Sequence, residues 1–162
     1  MPTLGISLRA LGTGALDLPD AGDTAWQTVA RATATLPQTG TDSLFTITVG
    51  RILLVGLIGE VTTVIQTQAN NTKLTFNPTA TGASTDICAN LNITGDAVGT
   101  LYSITGTIAD AMQDGMLMTT DMTNLILSEG TIDLTCAASN TGNVKEYMFY
   151  IPSKYNLSFP IH

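Results

Sequence analysis

The chain holds few residues that could do chemistry. Its only histidine is His162, the last residue. Nucleophilic triads need an imidazole held by a rigid scaffold, which is not expected at that position. Histidine-based metal clusters fail on the same count. The two cysteines, Cys88 in "DICANL" and Cys136 in "DLTCAAS", lie far apart with no second pair, so neither a zinc site nor a disulfide framework is expected. Both fall in alternating, strand-like patterns, and two buried, reduced thiols are the expectation.

The acidic residues fare no better. Asp17, Asp20 and Asp23 recur at every third position, whereas an EF-hand loop needs alternate positions and a closing Glu. Glu60, Glu129 and Glu146 would need to face one another across a cleft to act as a glycosidase pair, and nothing in their spacing sets that up. "GTG" at 12–14 lacks the third glycine and the preceding strand of a dinucleotide site. Asn70, Asn92 and Asn156 each open an N-x-S/T pattern, which means little without a secretion signal. The start, "MPTLGISLRALG", does not read as one. No catalytic residue, cofactor or metal is expected.

The elements are more legible than the chemistry. "ILLVGLIG", residues 52–59, is the longest apolar run, flanked by Arg51 and Glu60. A membrane helix needs about 20 apolar residues, so this is a core strand apolar on both faces. Upstream, Phe45, Ile47 and Val49 alternate with Thr46 and Thr48, the period of a half-buried strand. Gly50 and Arg51 mark a bend between the two. "KLTF", "DICANLNI", "GTLYSITGTI", "GTIDLTCAAS" and "VKEYMFYIP" continue the series. In the last of these, Tyr147, Phe149 and Ile151 oppose Glu146 and Tyr150. Short strands with turn residues between them predict an all-β fold, a single antiparallel barrel or sandwich (β-tulip-like) over residues 43–152. The predicted core gathers Phe45, Ile47, Val49, Leu54, Val55, Leu57, Ile104, Leu134 and Phe149.

Net charge and composition narrow the partners. The net charge is −7 and the six basic residues are scattered. Phosphate neutralisation needs clustered Lys and Arg, and an anionic membrane would repel the chain, so neither nucleic acid nor membrane is expected. Charged residues are 12%, about half the usual share, and roughly one residue in six is threonine. Few charges suit a surface that something else covers.

Three segments carry apolar residues outside this pattern. Residues 1–42, rich in Gly, Pro, Asp and Thr, read as an extended N-terminal arm bearing Leu4, Ile6, Leu8, Leu11, Leu16, Leu18 and Trp26 and ending in a strand at "TAWQTVARATATLP", with Trp26, Thr28, Ala30 and Ala32 on one face; a short helix capped by Asp23 is the alternative there. Residues 109–127 hold four of the six methionines, Met116, Met118 and Met122 among them. This is a loop over the end of the fold or a subunit contact. Residues 153–162 form a tail in which Tyr155 and Phe159 are docking candidates.

"LFTITVGRILLVGLIGEVTTVIQTQANNTKLTFNPT", "DICANLNITGDAVGTLYSITGTI" and "GTIDLTCAASNTGNVKEYMFYIP" together resemble small virion proteins of tailed bacteriophages, over roughly residues 33–152. The resemblance implies a capsid decoration (cement) protein, commonly a homotrimer. Such a protein sits on the surface of the virion, clamps neighbouring subunits of the major capsid protein, is made in the host cytoplasm and carries no catalytic residues. A tail or head-completion component is the alternative within the virion. A carbohydrate-binding or hydrolytic β-domain is the alternative outside that class, and it would use exposed Trp and Tyr.

Overall fold

The computed structural model describes residues 26–48, 50–117 and 123–153. Every regular element among them is a strand, and none of their segments is a helix long and apolar enough to cross a membrane. The strands form two antiparallel sheets that share no strand, so the fold is a sandwich rather than a closed barrel.

The five-stranded sheet holds β3 (Gly40–Ile47), β5 (Asn71–Pro78), β6 (Thr85–Asp86), β7 (Leu91–Asn92) and β11 (Gly130–Cys136). Its order is β3-β11-β5-β6, with β7 also on β5. The seven-stranded sheet holds β1 (Gln27–Ala30), β2 (Ala34–Thr35), β4 (Arg51–Thr63), β8 (Leu101–Ser103), β9 (Gln113–Gly115), β10 (Leu125–Leu127) and β12 (Asn143–Ser153). Its order is β1-β12-β4-β8-β9, with β2 on β12 and β10 on β4. The inner faces meet in one cluster: Phe45, Ile47, Leu74, Ile132 and Leu134 from one sheet against Ile52, Leu54, Leu57, Val61, Val144 and Met148 from the other.

The bend expected at Gly50 is the point where the chain changes sheets. β3 pairs with β11, β4 pairs with β12, and Gly50 between them has a φ of +72°. That left-handed conformation suits a residue without Cβ. The Gly50 N–H donates to Glu129 Oε1 at 2.9 Å, which fixes the corner.

Two bulges set which residues reach the core. On β4, Gly56 opposes Phe149 and Leu54 opposes Tyr150, leaving Val55 as the extra residue. Val55 is buried but lies outside the inter-sheet cluster. On β3, Phe45 opposes Ile132 and Ser43 opposes Asp133, so Leu44 is extra and packs against the core.

Three expectations change. The predicted arm, residues 1–42, does not extend to Asp42. β1 and β2 are hydrogen-bonded to β12, and Gly40 already opposes Cys136 in the β3 ladder. Short apolar side chains such as Val29 and Ala30 suffice for an edge strand, because the ladder supplies the hydrogen bonds. Residues 1–25 lie outside the described residues, as do the tail beyond Ser153 and Val49.

Second, β12 turns the other way. Val144, Glu146 and Met148 are buried, while Tyr147, Phe149 and Ile151 are only partly covered, so Met148 takes the core place expected for Phe149. Third, "DICANLNI" is not one strand. β6 and β7 are two-residue pieces on β5, and Ile87 and Cys88 between them are both buried. A pleated strand cannot bury two neighbours on one face. Here the backbone turns inward, Ile87 N–H donates to Leu74 O at 3.0 Å, and the Cys88 thiol accepts from Leu74 N–H at 3.2 Å.

Candidate interaction surface

The reactive residue types are dispersed. Among the described residues no group of three or more His, Cys, Asp or Glu could hold a metal. His162, Asp17, Asp20 and Asp23 lie outside them. Glu60 opposes Lys145 across β4 and β12, Glu129 holds the Gly50 corner, and Glu146 is buried between the sheets. The three glutamates therefore sit in three different environments.

Glu146 is the one buried glutamate. Its Oε2 lies 3.3 Å from Arg31 Nη1, just past the end of β1. Burial pushes the carboxyl above its ordinary value, and the Arg31 guanidinium pulls it back down. Cys88 and Cys136 are free and buried. Burial raises both thiols, with smaller opposing contributions from the Leu74 amide at Cys88 and from the Thr72 hydroxyl at Cys136. A raised thiol is a poor nucleophile, so both cysteines serve as small core residues.

The outer face of the seven-stranded sheet is different in kind. Ile52 and Leu54 point into the sandwich, so Leu53 between them points out. Register places Ile126 of β10 on one side of Leu53 and Ile151 of β12 on the other. Gln27 opposes Tyr150, so Trp26, one step earlier, comes level with Ile151. The result is an apolar row across four neighbouring segments, Ile126, Leu53, Ile151 and Trp26, with its ends 72% and 56% exposed. Further along the same face, Lys145 Nζ sits 5.1 Å from the centre of the Tyr147 ring.

A second apolar patch lies at the opposite edge. Met116 and Leu117 follow β9 and are 64% and 91% exposed, and Val98 precedes β8, the neighbour of β9. The expected contact residues thus divide. Trp26 and Met116 are exposed, on opposite edges of one sheet, and the structure does not bring them together. Leu4, Ile6, Leu8, Leu11, Leu16, Leu18, Met118, Met122, Tyr155 and Phe159 lie outside the described residues.

Sequence reasoning missed Leu53, Ile126 and Ile151. The signal for Leu53 was present, because β4 is apolar on both faces and only one face meets the other sheet. Ile126 carried none, since "LIL" does not say which residue points out.

No protein-family model and no curated protein matches the sequence. Among solved structures, a chain in the structure of infectious bursal disease virus, Gx strain, superposes with a TM-score of 0.41 at 10% identity, over 81% of this chain and 33% of that one. A chain in the Gt strain structure gives 0.37 at 11% identity, over 91% and 37%. This chain therefore spans about a third of the length of the solved chains it matches. The likeness at this level is coarse, and no functional argument follows from it.

Proposed function

We propose that the chain is a structural virion protein of the decoration type, binding across neighbouring subunits of a tailed-phage major capsid protein. The observation that carries this reading is the outer row of Ile126, Leu53, Ile151 and Trp26. Interfaces between proteins are enriched in aromatic and apolar anchors and depleted of charge at their centres. A sheet face that presents such a row, in a chain with few charges and no assembled reactive group among its described residues, is suited to sit on another protein. The resemblance of residues 33–152 to small phage virion proteins supports a major capsid protein as that partner. A homotrimer on the shell surface belongs to the same proposal.

The test uses capsid shells that lack the protein. Intact protein should occupy them in numbers that scale with the capsid lattice and should raise the temperature or force at which they break. Ile126→Asp changes an exposed side chain, so it should leave the sandwich folded while reducing occupancy. The reading fails if this variant decorates shells as well as wild type, or if wild type leaves shell stability unaltered. Copies fixed at a few per particle would place the protein in the tail or head completion instead.

A further inference from the structure

The two ends of the seven-stranded sheet differ in shape and in charge. Among the described residues β1 ends it on one side and β9 on the other. Beside β1, where β3 ends the five-stranded sheet, lies a cleft of about 460 Å³. A cleft of this size takes a guest larger than a water, the usual range for a bound group being roughly 300–1,000 Å³. Phe45, Ile47, Ile52 and Met148 are buried residues of its lining, and Val29 lines it at 37% exposure. Arg31 is the charged residue of that lining. At the β9 end the relief is reversed. Leu117, just past the strand, is 91% exposed, with Met116 exposed beside it. The charge is reversed as well. Asp110 and Asp114 belong to this end, and residues 96–117 contain no Lys or Arg.

We infer that Met116 and Leu117 of one copy seat in the β1–β3 cleft of a second copy, head to tail. A protruding apolar pair and an apolar cleft are both surfaces that water disfavours, and a single contact covers both. The charges beside them are complementary. Asp114 is exposed on β9, a few residues before Leu117, and Arg31 is on the cleft wall. Opposite charges of this kind steer two surfaces together and fix how they meet. The two surfaces lie at opposite ends of one sheet, so the contact joins unlike patches. Copies that repeat such a contact close into a ring when the rotation allows it. The inference thus names the self-contact of the homotrimer proposed above and rests on that part of the reading. The outer row of Ile126, Leu53, Ile151 and Trp26 belongs to neither surface.

Two variants and their mixture test it on the full chain without shells. Wild type should sediment as a trimer, and Leu117→Asp should raise its dissociation constant about tenfold or more. Val29→Asp should do the same from the cleft side. If Val29→Asp lowers the unfolding midpoint, Thr46→Glu, at an exposed position of the same lining, takes its place. Leu117→Asp keeps an intact cleft and Val29→Asp keeps an intact Leu117. An equimolar mixture of the two should therefore give a one-to-one dimer that neither variant forms alone. Ile126→Asp, on neither surface, should leave the trimer intact, so sedimentation reports on the self-contact while shell occupancy reports on the decoration reading. A monomeric wild type would overturn the inference. So would a mixture that stays monomeric. Loss of assembly in Leu117→Asp but not in the cleft variants would assign Leu117 to a contact with its own equivalent and overturn it too.

Discussion

Glu146 shows how one side chain can govern behaviour across a pH range. Burial holds its carboxyl above the ordinary value of 4.5, against the pull of Arg31. The folded protein keeps this proton to a higher pH than the unfolded chain does. Its contribution to stability is therefore complete below the unfolded value and is lost as pH rises through the folded one. In denaturant unfolding over a pH series, wild type minus Glu146→Gln should fall as pH rises above 4.5 and level off once the folded value is passed. A flat difference would show that Glu146 is not buried as described. The same residue explains why β12 was misread. A carboxylate in the Val144, Glu146, Met148 set makes the aromatic set look like the core face, and the Arg31 contact that offsets part of the cost of its burial is 115 residues away in sequence. The two faces can be told apart by truncation. Met148→Ala should cost about 2–5 kcal/mol, the range for a buried side chain, and Phe149→Ala less than that. The reverse order in thermal or denaturant unfolding would restore the sequence reading.

At the scale of elements, close approach between strands is as decisive as apolar pattern. Gly130 opens β11 where it passes β5, and a Cβ there would strike Asn77 O and come 2.8 Å from the Pro78 Cα, both backbone atoms. Gly130→Ala should cost about 1–3 kcal/mol, as overpacking does, whereas Gly56→Ala, with nothing within 4 Å of a new Cβ, should change stability far less. Equal midpoints for the two variants would contradict the packing of β11 on β5. β3, β5 and β11, with an alternating period and enough length, and β4, a long run apolar on both faces, were legible in the sequence, as was the corner at Gly50. β6, β7 and β9 were not, because two or three residues cannot display a period. β1 and β2 fall within "TAWQTVARATATLP", which the sequence offered as one strand ending the arm, but their break into two pieces and their pairing with β12 were not legible. They are edge strands whose side chains are largely exposed, and their place is set by backbone bonding to β12, which side-chain type does not reveal. For the surface, exposure of Trp26 and Met116 could be anticipated from residue type, but a row such as Ile126, Leu53 and Ile151 is a property of register between distant strands.

For the whole molecule, the redrawn boundary changes what a truncation should do. Removing residues 2–25 should leave a folded all-β protein by circular dichroism, whereas removing residues 2–31 deletes β1 and the partner of Glu146 and should lower the unfolding midpoint markedly. Identical midpoints for the two truncations would return β1 to the arm. The position of β12 in the middle of its sheet, between the first strand and the long central one, has a further consequence for synthesis. Until β12 emerges from the ribosome, β1 lacks the described strand it pairs with and one hydrogen-bonding edge of β4, next to its apolar side chains, stays open for most of translation. The nascent chain is thus exposed to aggregation until nearly its last described strand. Chaperone dependence, or rescue by slower synthesis, should follow the arrival of residues 143–153 rather than that of any earlier strand.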